Sequence, residues 1–172
     1  MHKIAIKCDL SEISGYGHFK RMYGLYKELQ KINLKCFFLF SNSQKKIVRN
    51  TKNKINAYYF DNKKKEINNL IYKFLKKEKV SVLILDSYKQ NKKFEKKLKK
   101  IRDLKLINID DKNSNTIADI VVTNKERDEL SNNSKKNQII LSGFRYALNY
   151  FNQKKISIRK KNIKKNIKFY SM

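Results

Sequence analysis

Residues 3–21 read Lys3-Ile-Ala-Ile-Lys-Cys-Asp-Leu-Ser-Glu-Ile-Ser-Gly-Tyr-Gly-His-Phe-Lys-Arg21. The run Lys3 to Cys8 has the short, mostly apolar character of a buried strand. Asp9 to Gly17 follows as a loop with two glycines. The next stretch, Met22 to Ile32, is amphipathic and places Met22, Leu25, Leu29 and Ile32 at helical spacing. A strand, a glycine-bearing loop and a helix form a ready anion site, because free N–H groups and the helix dipole meet at the helix start. Gly15 and Gly17 let the backbone approach a ligand closely. His18 falls in or near the first helical turn, facing the same space, and Arg21 lies one turn on.

The rest of the chain builds a platform for that loop. Lys35 to Phe40 is apolar after Lys35, as a strand covered on both faces should be. A short helix is expected around Lys45 to Arg49 and a strand at Ala57 to Phe60. Glu66 to Lys77 is the clearest helix, with Ile67, Leu70, Ile71, Phe74 and Leu75 on one stripe. Val80 to Leu85 reads as a central strand ended by Asp86. A helix over Lys92 to Leu104 turns Phe94, Leu98 and Ile101 inward. Leu106 to Ile109 is a strand ended by Asp110-Asp111, and Ala118 to Thr123 and Gln138 to Leu141 are two more.

This alternation predicts an α/β fold, a Rossmann-like parallel sheet with helices on both faces. Ligands of such sheets bind outside the carboxyl ends of the strands. Asp9, Asp86 and Asp110-Asp111 each follow a strand, so all are expected on one edge beside the Gly15–His18 loop. From Gln153 to Lys168 apolar content falls and charge rises, the mark of a solvated linker. The expected division is a domain over 1–152, a basic linker over 153–166, and the opening of a second domain over 167–172.

The 172 residues carry a formal charge of +27, almost all from lysine. Arginine occurs only at 21, 49, 102, 127, 145 and 159, although base and phosphate recognition favours its planar fork. Lys, Asn and Ile are abundant, while Pro and Trp are absent. The charge therefore reads as compositional drift over solvated helix faces, and nucleic acid is not the expected partner. A basic nucleic-acid-binding domain is the competing class. No apolar run is long enough to span a membrane, and without a leader-like start the chain is expected in the cytoplasm. Cys8 and Cys36 read as small core residues.

At the loop edge the chemistry stays open on residues alone. Three positions past Gly17 stands Lys20, not the third glycine of a dinucleotide fingerprint, so no nicotinamide or flavin cofactor is expected. The only histidines, His2 and His18, lack ligand spacing, so no metal is expected. His18 serves either as helix-start packing or as a base that activates water. Asp86 and Asp110-Asp111 serve either as caps of the following helices or as site carboxylates. Tyr88 either contacts a substrate or covers the strand end.

The pattern Asp9, Gly15, Gly17, His18 and Arg21 resembles the nucleotide-sugar hydrolase family of pseudaminic acid biosynthesis. Leu83-Ile-Leu-Asp86-Ser-Tyr88 resembles that family's strand ending in Asp-His-Tyr. Ile109-Asp110-Asp111 resembles its paired aspartates, Asp119 to Asn124 its next strand, and Gly143-Phe-Arg-Tyr146-Ala147-Leu148 its Gly-x-x-Tyr-Ala-Leu segment. The resemblance implies the N-terminal half of a GT-B glycosyltransferase-like fold that works as a hydrolase. It implies release of UDP from UDP-2,4-diacetamido-2,4,6-trideoxy-β-L-altropyranose with inversion, and no cofactor. His18 is then the general base. Asp9, Gly15, Gly17, Arg21, Asp86, Tyr88, Asp111 and Tyr146 are the expected substrate-binding residues. Lys7, Ser87 and Tyr150 depart from the family, which has Arg, His and often Arg there. The resemblance places most of the UDP site in a second domain, which implies either a truncated enzyme or a split one with a separately encoded C-terminal half. Half of another nucleotide-sugar transferase or epimerase is the alternative within the same fold.

Overall fold

The computed structural model describes residues 2–10, 16–51, 54–61, 67–87, 92–110, 116–125 and 137–146. Gly15, Tyr88, Asp111, Tyr150, the linker 153–166 and the segment 167–172 lie outside the described residues. Seven parallel strands, β1 (Lys3–Cys8), β2 (Lys35–Ser41), β3 (Ala57–Phe60), β4 (Val82–Asp86), β5 (Lys105–Ile109), β6 (Ile120–Val122) and β7 (Ile139–Leu141), form one sheet. Their order is β3-β2-β1-β4-β5-β6-β7. The chain winds outward from β1 in one direction and from β4 in the other, so the order reverses between those two strands. This is the expected Rossmann-like α/β architecture, with its switch point at β1 and β4.

Among the described residues four α-helices cover the sheet: α1 (Gly17–Lys31), α2 (Lys45–Asn50), α3 (Ile67–Lys77) and α4 (Lys92–Leu98). Period-two alternation divides the strands between two cores. Ala5, Phe37, Leu39, Leu83, Leu85 and Leu106 pack with Ile71 and Leu75 of α3 and with Phe94 and Leu98 of α4. On the other face Ile4, Ile6, Phe38, Phe40 and Ile84 pack with Phe19, Met22 and Tyr26 of α1 and Val48 of α2. Cys8 and Cys36 are free thiols in that second core, as their strand positions suggested.

The helices depart from expectation in two places. The α1 stripe is centred on Phe19, Met22 and Tyr26, while Ile32 is 67% exposed because it follows the last helical residue. Helix α4 ends at Leu98 instead of Leu104. There the Ile101 N–H bonds back three residues to the Leu98 carbonyl (2.9 Å), and Asp103 takes a left-handed φ of 64°. Ile101 still packs against the α3–α4 core.

Glycine is scarce, and other residues stand where it usually ends helices. Asn33 after α1 and Lys79 after α3 have φ of 59° and 51°. Both ends close with the bonding of a Schellman motif: Leu34 N–H to Leu29 O and Val80 N–H to Leu75 O, each 3.0 Å. The final turns carry Lys31, Arg49, Lys76-Lys77 and Lys96-Lys97, which complement the helix dipoles. Since α1 and α2 lie on one face and α3 and α4 on the other, this basic charge is distributed over both sides of the sheet.

Candidate active site

The register Cys8↔Asp86 brings the carboxyl ends of β1 and β4 side by side. One rung further, the Asp9 N–H bonds to the Asp86 carbonyl at 3.0 Å. The chain leaving β1 returns over this edge as α1, which begins at Gly17 and runs along the face that Asp86 points to. His18, in the first turn, is 4% exposed and Asp86 is 0% exposed. His18 Nδ1 and Asp86 Oδ1 are 2.6 Å apart.

Arg21, one turn later on the same helix face, closes the group. Its Nε donates to Asp86 Oδ2 at 2.6 Å, and its Nη2 donates to Asp86 Oδ1. Arg21 Nη2 also lies 3.1 Å from His18 Nδ1. A single ring nitrogen cannot donate to the carboxylate and accept from the guanidinium at once. The carboxylate is the stronger acceptor, so we assign the Nδ1–H tautomer, with Nδ1 and Nη2 both directed at Oδ1. Nε2 then carries the lone pair. A histidine whose Nδ1–H is held by a buried carboxylate is oriented for base chemistry at Nε2. The bidentate guanidinium compensates the buried carboxylate charge that would otherwise oppose folding.

The other strand-end residues divide by face. Asp86 shares the α1 face with His18. Asp9 and Asp110, each on the opposite strand parity, fall on the α3–α4 face, although both lie on the same edge. Ser87 joins Asp9 there, its hydroxyl donating to Asp9 Oδ2 at 2.9 Å. The expectation of one acidic edge therefore holds for the edge, and alternation splits it between two faces. Leu10 is tied to Gln44, whose Nε2 donates to the Leu10 carbonyl at 3.0 Å while its Oε1 accepts from the Ser41 N–H at 2.8 Å.

Gly17 is the first residue of α1, and a Cβ placed there would have no atom within 4 Å. The backbone is thus open to close approach at the start of the helix. Tyr146 lies in a 3₁₀ turn after β7, following Gly143, whose φ of 95° suits glycine. Three strand spacings separate β7 from β4, about 14 Å. Tyr146 thus follows a strand end on the same edge of the sheet as the end of β4. Among the described residues, no group of three or more His, Cys, Asp and Glu is placed to hold a metal ion.

The Asp86–His18–Arg21 group was not foreseen as a unit, since Asp86 and Arg21 were each expected to face substrate. A signal existed: His18 and Arg21 are three residues apart on one helix, and Asp86 ends the strand predicted to lie at the centre of the sheet. Nearby, burial above all, and then the Asp86 charge, push the Cys8 thiol far above its ordinary value. Cys8 is thereby a packing residue, not a nucleophile.

No family model matches the sequence. The chain is similar to an uncharacterized protein of Methanocaldococcus jannaschii, with 36% identity over 132 residues. That match covers 76% of this chain and 26% of the archaeal protein, so the chain spans about a quarter of the relative's length.

Proposed function

We propose that this chain is the base-bearing domain of a nucleotide-sugar hydrolase. The observation that carries the reading is the buried His18–Asp86 hydrogen bond, 2.6 Å long, at the switch point of a parallel sheet. Ligands of such sheets bind in that crevice. The substrate proposed from the ordered resemblance is a UDP-linked diacetamido-trideoxy sugar. His18 Nε2 takes a proton from water as the water oxygen bonds to the anomeric carbon. The bond from that carbon to the UDP oxygen breaks, and UDP leaves with the electron pair. Attack from the face opposite UDP inverts the carbon and requires the base to lie across the cleft from the diphosphate. The burial of the ring suits this role, because it limits the base to water bound in the site.

In this reading the N-terminal half of a GT-B-type enzyme supplies the base, and a second domain grips UDP. No helix among the described residues is long and apolar enough to cross a membrane, and a cytoplasmic location is proposed with the activity. The test is product analysis with the UDP-sugar, using this chain alone and with a candidate C-terminal half. Free UDP and a reducing sugar, lost in His18→Ala, support the hydrolase. A glycoside product would move the reading to a transferase, and full activity in His18→Ala would remove His18 as base.

A further inference from the structure

Asn108 lies in the middle of the sheet on β5, flanked by Leu85 of β4 and Val121 of β6. It is 0% exposed, and neither Nδ2 nor Oδ1 has a hydrogen-bond partner in the protein. Exchanging the two amide atoms does not help, since both are in the same position. Asn is a poor strand former, and a buried amide atom without a partner carries its full desolvation cost. The residue shares the α3–α4 face with Leu106, whose neighbours are apolar.

Polar groups begin one step toward the carboxyl edge. Asp110 follows Asn108 on the same face, about 6.6 Å along the strand. Thr123 of the next strand stands beside Asp110, because the Asp110 N–H bonds to the Val122 carbonyl (2.9 Å) and extends the ladder. Both residues are buried. The Thr123 hydroxyl accepts from the Lys125 N–H at 3.2 Å, which leaves its own proton to donate. Two hydrogen bonds in series cover about 5.5–6 Å, comparable to the rise of about 6.6 Å between these two strand positions.

We propose that Asn108 is the anchor of an internal hydration site beneath the carboxyl edge, on the face opposite His18. One water bonds the Asn108 amide and is completed by Asp110 or Thr123, giving it the usual complement of about three partners. The bound species is a neutral group that both donates and accepts, as the amide demands.

The test is a high-resolution crystal structure of the chain, with water–protein NOE measurements at the Asn108 side-chain amide in solution. The expected result is one ordered water within hydrogen-bond distance of the Asn108 amide, giving a long-lived NOE, and its loss in Asn108→Leu. The solution measurement on the unsubstituted chain decides the matter even if that variant does not fold. An amide bonded only to protein groups, an ion or other ligand in the position, or no long-lived water overturns the proposal.

Discussion

His18 and Asp86 are 68 residues apart in sequence and 2.6 Å apart in space. The parallel pairing of β1 with β4 makes that contact, by putting Cys8 opposite Asp86 just before the chain turns into α1. The carboxylate belongs to two partners, and this separates two kinds of substitution. His18→Ala removes the proposed base and leaves the Asp86–Arg21 pair standing. Its hydrolytic kcat is expected to fall about 10²–10⁴-fold, with a far smaller effect on the denaturant midpoint than a change at Asp86.

Asp86→Asn acts on both. It leaves the Arg21 guanidinium, 17% exposed, without its carboxylate. Removing one partner of a buried pair costs about 3–5 kcal/mol, which urea unfolding will register. In the proposed hydrolase Asp86 positions His18, so the loss in turnover should appear in kcat more than in KM. A variant as stable and as active as the parent would mean that the pair orients nothing.

Much of this architecture was legible because its signals are local. Lys35 to Phe40 is apolar at every position but its first, and so short and unbroken a run fits a strand covered on both faces. Ile67 to Leu75 carries its stripe within one helix. The Asp86 partnership depends instead on strand register, which no local pattern encodes, so the sequence alone does not group Asp86 with His18 and Arg21. The splitting of Asp9 from Asp86 by face follows from period two alone and was available in the sequence. Helix α4 was drawn too long because Ile101 continues the apolar spacing, although a three-residue turn, not the helix, delivers it to the core.

Lys79 offers a gain in stability. A left-handed lysine costs about 1–2 kcal/mol relative to a right-handed one, and its φ is 51°. Lys79→Gly keeps the Val80 N–H to Leu75 O bond of 3.0 Å and relieves the strain. An increase of about 1 kcal/mol in unfolding free energy is expected. The same change at Asn33 should gain less, because asparagine tolerates this conformation.

Gly17→Ala separates structure from recognition. The added methyl meets nothing within 4 Å, and the position is helical. Thermal stability should therefore hold or rise slightly. If a ligand packs against the start of α1, the methyl occupies that approach and weakens binding. Titration of both forms with the UDP-sugar reads this, and equal affinities would place the ligand elsewhere on the edge.

Asp119 sets one part of the acid limb of stability. Burial pushes its carboxyl up, but the Leu106 N–H at 2.8 Å and the Lys99 ammonium at 2.6 Å outweigh it and hold it below its ordinary 3.8. A carboxyl lowered by folding stabilises the native state above its ordinary value, and that contribution disappears as pH falls through the lower native one. Asp119→Asn should thus destabilise the protein near neutrality, and the gap between variant and parent should close as pH falls below 3.8. Urea unfolding at a series of pH values measures the gap. A constant difference from neutral to acid would show that Asp119 acts through its shape and not through its charge.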